Sequence, residues 1–242
     1  MLYGIFSDIH SNLQAYEAFL DDAKKEKADK HICVGDIVGY GANPKECIEL
    51  TRELNCPTVC GNHDLAATGK IPKNRFNSSA KEAAIWTQGE LQNSDKDYLN
   101  SLPFVHNEGE FTLVHGSLYL PEKFNYVAGL NDAELCMNQQ KTKLCFVGHS
   151  HVPGIFEKIE DNQVSMIIQT KIQLKENAQY LVNVGSIGQP RDGDWKACYC
   201  LYDDAKDILH FKRLKYDVNA ASKAIVDVGL PKHLSERLKH GA

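Results

Sequence analysis

The chain has 242 residues, 43% hydrophobic and 24% charged, and a formal net charge of −5. These values exclude a disordered polymer. They also exclude a protein drawn to nucleic acid or an anionic membrane by its overall charge, so affinity for a phosphate-bearing ligand has to come from a local site.

The first 65 residues repeat one pattern, an apolar run that stops at a polar cluster and is followed by a helical stretch, as β-α units do. LYGIF leads into SDIHSN and a predicted helix over about 13–27, with Leu13, Tyr16, Ala18, Phe19 and Leu20 on or near its apolar side. HICV leads into GDIVGYG, and Pro44 opens a second helix over about 44–54. CPTVC leads into GNHD. Residues 66–79 read as a loop whose Lys70, Lys73 and Arg75 either meet a polyanionic substrate or form a solvated face. Helices are predicted over 80–91, with Ala83, Ala84, Trp86 and Leu91 on the apolar face, and over 95–102.

FVHNEGE and FTLVHGS then resemble a hairpin, with Glu108 and Gly109 in its turn. LCFVGHSH is a further buried strand, followed by predicted strands over 154–159, 164–169, 179–184, 197–202 and 208–214. The tail forms a helix over 217–228 and a last one after Pro231, and the basic runs KRLK and ERLK read as exposed faces. No repeat, low-complexity tract or Pro/Gly linker divides the chain, so residues 1–242 are expected to form a single domain. Parallel-type units early and antiparallel strands late predict an α/β fold, a four-layer αββα sandwich of two mixed sheets flanked by helices.

The start, MLYGIFSD, lacks the positive and apolar regions of an export signal, and every apolar run is too short to span a bilayer. A cytoplasmic location follows, with no membrane partner and no duplex nucleic acid. Of eight cysteines, Cys33, Cys60, Cys145, Cys198 and Cys200 lie inside apolar runs and read as reduced core thiols. Cys56 and Cys60 have no second matching pair with which to bind a metal.

Five apolar runs end in a potential metal ligand: Asp8 and His10, then Asp36, then Asn62 and His63, then His115, then His149 and His151. In open α/β sheets the carboxyl ends of strands are where ligands bind, so these residues should converge. DxH and GHSH each set two ligands at i and i+2, on the same face of an extended chain. Mixed carboxylate, imidazole and amide donors suit Mn²⁺, Fe²⁺, Ni²⁺ or Zn²⁺ better than Ca²⁺ or a thiolate-type zinc site. Seven ligands are too many for one ion, and two ions about 3.5–4 Å apart form the clamp expected for in-line displacement at phosphorus. Asp36, alone after its strand and central in the order, is the natural bridge. His31, His106, His210, His233 and His240 fall outside these windows and read as ordinary core or surface residues.

The ordered set DIH, GDIVG, GNHD, VHGS and GHSH resembles the motif series of the calcineurin-like metallophosphoesterase superfamily, over residues 1 to about 215. The resemblance implies that Asp8, His10, Asp36 and His151 bind a first metal, while Asp36, Asn62, His115 and His149 bind a second. It implies two stacked sheets with outer helices, and a hydroxide bridging the ions as nucleophile. It further implies that His63 donates a proton or stabilises charge at the leaving oxygen, with Asp64 orienting its imidazole. The chemistry agrees, because an alkoxide leaving group needs a proton and a histidine beside the ions is free to supply it.

The segment NVGSIGQPRDGDW is similar to a stretch in a small bacterial and archaeal branch of that superfamily, predicted phosphodiesterases or relatives of diadenosine tetraphosphatases. Asn62, His63 and Arg191 are the residues expected to face a small phosphoester, possibly a nucleotide. Arg191 suits bidentate capture of a phosphate oxygen, or else a salt bridge to Asp192 or Asp194. In the loop over 117–130, Tyr119, Phe124 and Tyr126 either stack a nucleobase or pack against their own domain. The leading expectation is a phosphodiesterase or nucleotide-type phosphohydrolase. A dinucleoside polyphosphate hydrolase, a protein Ser/Thr phosphatase and a protein-binding scaffold on the same fold are the alternatives.

Overall fold

A computed structural model of the chain describes residues 1–160 and 162–242, with the side chain of Arg75 outside the described part. Strand β1 (Leu2–Phe6) is buried over four of its five residues and pairs in parallel with β2 (Lys30–Cys33). Between them runs α1 (Leu13–Lys25), capped by the Asn12 side chain on the Ala15 N–H. Its buried face, Ala15, Tyr16, Phe19 and Ala23, follows the helical period and packs on the sheet. Helix α2 (Pro44–Leu54) starts at Pro44, whose missing N–H costs nothing at a first helical turn, and ends at Asn55 in the left-handed region.

Three expectations in this half need correction. CPTVC pairs with β2 only through a single bridge, Cys33 to Thr58, because Pro57 cannot extend a ladder. Residues 66–68 are not loop but the last turn of α3 (Asn62–Thr68), which begins inside the GNHD motif. Lys70 and Lys73 are tied to the carbonyl of Asn100 and to Gln88 Oε1, so they brace neighbouring helices rather than reach toward an anion. Helices α4 (Ser78–Glu90) and α5 (Asn93–Ser101) follow close to where they are expected.

The hairpin of β3 (Val105–Glu108) and β4 (Phe111–Val114) turns at Gly109 and Glu110, one residue later than predicted, with Glu108 paired to Phe111. Helix α6 (Leu130–Met137) was not anticipated. Strand β5 (Leu144–Val147) is fully buried. Next come β6 (Gly154–Ile159), β7 (Ser165–Ile167), the unforeseen β8 (Lys171–Gln173), β9 (Ala178–Asn183), β10 (Ala197–Asp203) and β11 (Ile208–Leu214), then α7 (Val218–Asp227) and α8 (Lys232–Leu238).

One sheet has the order β2-β1-β10-β11-β8, the other β3-β4-β5-β9-β6-β7, and each mixes parallel and antiparallel pairs. Tyr3, Ile5, Ile32, Phe146, Tyr180 and Tyr202 belong to the core between the sheets. A larger cluster joins the outer face of the first sheet to α1, α2, α4, α7 and α8, and a smaller one seats α6 on the second. The four-layer α/β expectation is therefore met. No helix is long and apolar enough to cross a membrane among the described residues.

The layering positions the site. β1 and β2 run parallel in one sheet, β4 and β5 in the other, and the segments leaving all four meet at one edge. The Asp8 N–H donates to the Gly35 carbonyl, His10 to Asp36, and Gly148 to His115, lacing these segments together.

Candidate metal centre

Two groups of ligand atoms converge: Asp8, His10 and His151 form one, Asp36, His115 and His149 the other, with the atoms of each group within 4.8 Å of one another. All six residues are buried. His10 Nε2 lies 3.6 Å from both Asp8 Oδ1 and Asp36 Oδ2, which joins the two groups, and His115 Nε2 lies 3.2 Å from Asp36 Oδ2. Asn62 stands at the start of α3 with its Oδ1 buried.

The pairs in DxH and GHSH reach the centre differently from the expected extended geometry. Asp8, His10, Asp36, His149 and His151 all have left-handed backbone, with φ between 48° and 66°. Such residues are uncommon outside glycine and cluster at functional sites. The turn splits GHSH, so that His149 and His151 join different groups. Close approach sets the neighbouring residues. A Cβ on Gly61 would meet Asp36 Oδ1 at 1.9 Å, and one on Gly148 would meet Ser7 Oγ at 2.1 Å. The NVGSIGQ segment clamps the first ligand loop, with Ser186 Oγ and the Gly188 N–H both donating to the Asp8 carbonyl at 2.8 and 2.9 Å.

The far nitrogen of three histidines is committed to backbone: Nδ1 of His10 to the Val38 carbonyl, of His115 to Val34 and of His151 to Gln189. A carbonyl only accepts, so Nδ1 carries a proton in each ring and Nε2 is the nitrogen turned inward, the one that a metal-binding imidazole offers once it is neutral. Among the described residues Asp8 Oδ1, Asp36 Oδ2, Asn62 Oδ1 and His115 Nε2 are buried without a hydrogen-bond partner. Buried polar atoms without partners are rare and costly. Orphaned oxygens and nitrogens of mixed type facing one centre fit a pair of divalent cations.

Charge coupling inside the metal-free centre is strong. Burial works to raise the Asp36 and Asp8 carboxyls, but the surrounding histidines, led by His115 for Asp36 and His151 for Asp8, hold both below the ordinary range. Burial works to lower His115, yet Asp36 and Asp8 raise it to about 10. Burial lowers His149 to about 3 and His151 to about 4, so these rings are neutral.

His63 is buried between Tyr40, at 4.4 Å between ring centroids, Phe76 at 4.7 Å and His10 at 4.9 Å. Its Nδ1 has no partner among the described residues, and burial holds its pKa well below the ordinary value. Asp64, expected to orient this ring, does something else. Its Oδ1 accepts the Val38 N–H at 3.1 Å and its Oδ2 the Gly61 N–H at 2.9 Å, bracing the GDIVG and GNHD loops against each other. Burial and the nearby Asp36 push this carboxyl up to about 7, against those two amide donors.

Arg191 pairs with neither Asp192 nor Asp194. Those carboxylates are taken by Arg213 and Lys196, while Arg191 bonds Gln189 Oε1 at 3.0 Å. The KRLK and ERLK runs are also less exposed than expected, since Lys212 and Arg213 are ion-paired and Arg237 lies over the Tyr40 ring. Tyr126 stacks on His149, 3.9 Å between centroids at 15°, and Phe124 is buried beside His115. Tyr119 stands apart on the exterior. A cavity of about 250 Å³ opens beside His63, lined by Tyr40, Asn62, Phe76, Lys123, Phe124, Tyr126 and His149 among others. Tyr40, Phe76 and Arg237 carried no sequence signal, because each reaches the centre through a contact distant along the chain.

Two stacked mixed sheets with ligand loops meeting at one edge define a metallophosphoesterase, a hydrolase that acts on small phosphoesters. Residues 1–207 match the calcineurin-like phosphoesterase superfamily domain, and the chain belongs to that family, whose members depend on two metal ions. It is 40% identical over 241 residues to the uncharacterized protein MJ0912 of Methanocaldococcus jannaschii, covering 98% of this chain and 97% of that one. The metallophosphoesterase from Sphaerobacter thermophilus superposes over the full length of both chains with a TM-score of 0.87 and 37% identity. PH1004 from Pyrococcus horikoshii shares the fold, with a TM-score of 0.82 at 20% identity over 100% of this chain and 98% of that one.

Proposed function

We propose that the protein hydrolyses phosphodiester or nucleotide-type esters with water, using two divalent ions. The observation that carries this reading is the set of orphaned, buried donor atoms on Asp8, Asp36 and His115, brought together in two adjoining groups, with Asn62 lining the cavity beside His149. Asp8, His10, Asp36 and His151 would hold one ion, and Asp36, Asn62, His115 and His149 would hold the other. The mixed donor set favours Mn²⁺, Fe²⁺, Ni²⁺ or Zn²⁺. When bound, the ions neutralise phosphoryl oxygens and acidify the attacking water.

His63 stands beside the ligands without belonging to either cluster, which suits it to proton transfer. The ring is neutral in the free protein, and an anionic phosphate raises its proton affinity. As water adds to phosphorus and the bond to the leaving oxygen breaks, His63 gives that oxygen its proton. Asp64 contributes by holding the Gly61 and Val38 amides, and so the loop that carries His63. Arg191, which has no carboxylate partner among the described residues, binds a phosphate oxygen. The aromatic walls of the cavity beside His63 support an ester that bears a nucleobase or another flat group.

The free thiols of all eight cysteines support a reducing compartment, the cytoplasm, as the place of action. Residues 1–242 act as one domain in this reading, since Ile225, Leu234 and Leu238 of the last two helices join the cluster that holds α1. A hydrolysis panel of mono-, di- and polyphosphate esters, each run with Mn²⁺, Ni²⁺, Zn²⁺ and Mg²⁺, tests the proposal. Turnover of at least one ester with loss in excess chelator is expected; metal-loaded protein inert on the whole panel refutes it.

A further inference from the structure

We infer that a second cavity, which shares Tyr126 as a wall with the one beside His63, receives the retained alcohol arm of the substrate, so that the substrate class is a diester with a flat, uncharged group on that arm. This rests on the phosphoesterase reading above. The cavity has a volume of about 400 Å³ and is lined by Ser117, Tyr119, Asn125, Tyr126, Asp132 and Leu135. Tyr126 also lines the cavity beside His63 and stacks on His149 at 3.9 Å, so both cavities open one aromatic ring away from a candidate ligand. Ser117 lies two residues beyond His115, in the segment that leaves β4. The departing alcohol belongs in the cavity that His63 lines, because His63 gives the leaving oxygen its proton, and the arm left on phosphorus then falls to the other.

Tyr119, Tyr126 and Leu135 each stand about half exposed around this second cavity. Single exposed apolar side chains are ordinary, but three at one cavity beside a candidate centre form the kind of patch that marks a ligand groove. The loop is also preformed. Asn125 Nδ2 donates to the Tyr119 carbonyl at 3.1 Å, and the Tyr119 N–H donates to Ser117 Oγ at 3.1 Å. A Cβ on Gly116 would meet the Asn125 carbonyl oxygen at 2.8 Å, so the loop lies tight against the segment that carries His115. Leu120 and Phe124 bracket the turn Pro121–Lys123 with φ of 55° and 53°, a left-handed conformation that strains bulky side chains and is held at ligand-binding loops. A wall fixed in advance costs a ligand less ordering. Charge separates the two cavities: Lys123 lines the first, whereas the charged side chain on the wall of the second is Asp132. Its Oδ2 accepts the Ala128 N–H at 3.1 Å, and it has no ion-pair partner among the described residues. An anionic arm would meet an uncompensated carboxylate there, while a sugar hydroxyl or a base amino group can donate to it.

The test holds the leaving group constant and varies the retained arm: p-nitrophenyl phosphate esterified with methanol, phenol, p-hydroxybenzoate or thymidine, each releasing p-nitrophenolate in the presence of metal-loaded protein. Wild type should show a kcat/KM about tenfold or more higher for the phenyl and thymidine diesters than for the methyl one, the order that a single aromatic stack supplies. The p-hydroxybenzoate diester should lose most of that gain to the Asp132 carboxylate. Tyr119→Ala and Leu135→Ser, both at half-exposed positions where truncation leaves the core intact, should each lower the phenyl-to-methyl ratio by about threefold or more. A ratio near unity in wild type, a ratio unchanged in both variants, or a benzoate arm accepted as well as a phenyl one overturns the assignment. Should no diester be cleaved, the hydrolase reading falls, and dissociation constants of phenyl phosphate and methyl phosphate by calorimetry carry the same comparison. A phenyl-selective loss in Tyr119→Ala then upholds the cavity, and an equal loss or none overturns it.

Discussion

The backbone N–H of His63 donates to Asp36 Oδ1 at 2.8 Å, so the carboxylate at the middle of the candidate centre also anchors the helix that carries the candidate proton donor. Its other oxygen faces His115 and His10 at 3.2 and 3.6 Å. One side chain therefore couples ion binding to the position of the acid.

Asp36→Asn keeps this shape and removes a charge. We expect activity to fall about 1,000-fold or more, since the ions supply several kcal/mol of charge stabilisation. Metal content by elemental analysis should drop below two ions per chain. Full turnover with two ions retained would show that Asp36 is no ligand.

Gly61→Ala places a methyl group where Asp36 Oδ1 now sits, at 1.9 Å. The Asp36 backbone nitrogen would lie 2.4 Å from the same methyl, so the carboxylate must swing away and the loop must shift with it. Overpacking of this kind costs about 1–3 kcal/mol. A lowered melting temperature together with reduced metal content is the expected pair of readings, and an unchanged metal content would mean that the loop relaxes instead.

His63→Ala should depend on the leaving group. With a poorly leaving alkoxide the loss should be about 100- to 10,000-fold, the usual range for a general acid. With p-nitrophenolate, which needs little proton assistance, it should be much smaller. Equal losses on both esters would assign His63 to binding rather than to proton transfer.

The metal-free protein should respond to pH through His115. Burial works against its imidazolium, but Asp36 and Asp8 outweigh burial and raise the ring to about 10, above the ordinary 6.5. A raised folded pKa gives stability that is complete below about 6.5 and fades as pH climbs toward about 10. Chelator-treated protein should thus melt lower at pH 9.5 than at pH 7. Divalent ions need the neutral ring, so loading near pH 7.5 should expel about one proton, seen by calorimetry in buffers of different ionisation enthalpy. No proton release would argue against the His115–Asp36 pair.

The strand-end ligands were legible because each motif is local. An apolar run of β type followed by Asp, His or Asn says where a strand stops and what its next residues can bind. Asp64 shows the limit of such reading, since its place beside His63 in sequence suggested a ring contact, and the turn into α3 sent it to the Val38 and Gly61 amides instead. GHSH shows it again: His149 and His151 reach their two groups through left-handed backbone, not through the extended chain that the motif suggests.

By itself the sequence determined the layered α/β class, the seven candidate ligands and the family, since these depend on hydrophobic period and on donor chemistry within a few residues. Only the tertiary structure decided which donor atoms lack partners, that Asp64 turns to the Val38 and Gly61 amides, and that Arg237 on the last helix comes to Tyr40 beside His63. Those contacts join residues up to about 200 positions apart through packing between layers. No local pattern encodes which side chains such packing brings face to face.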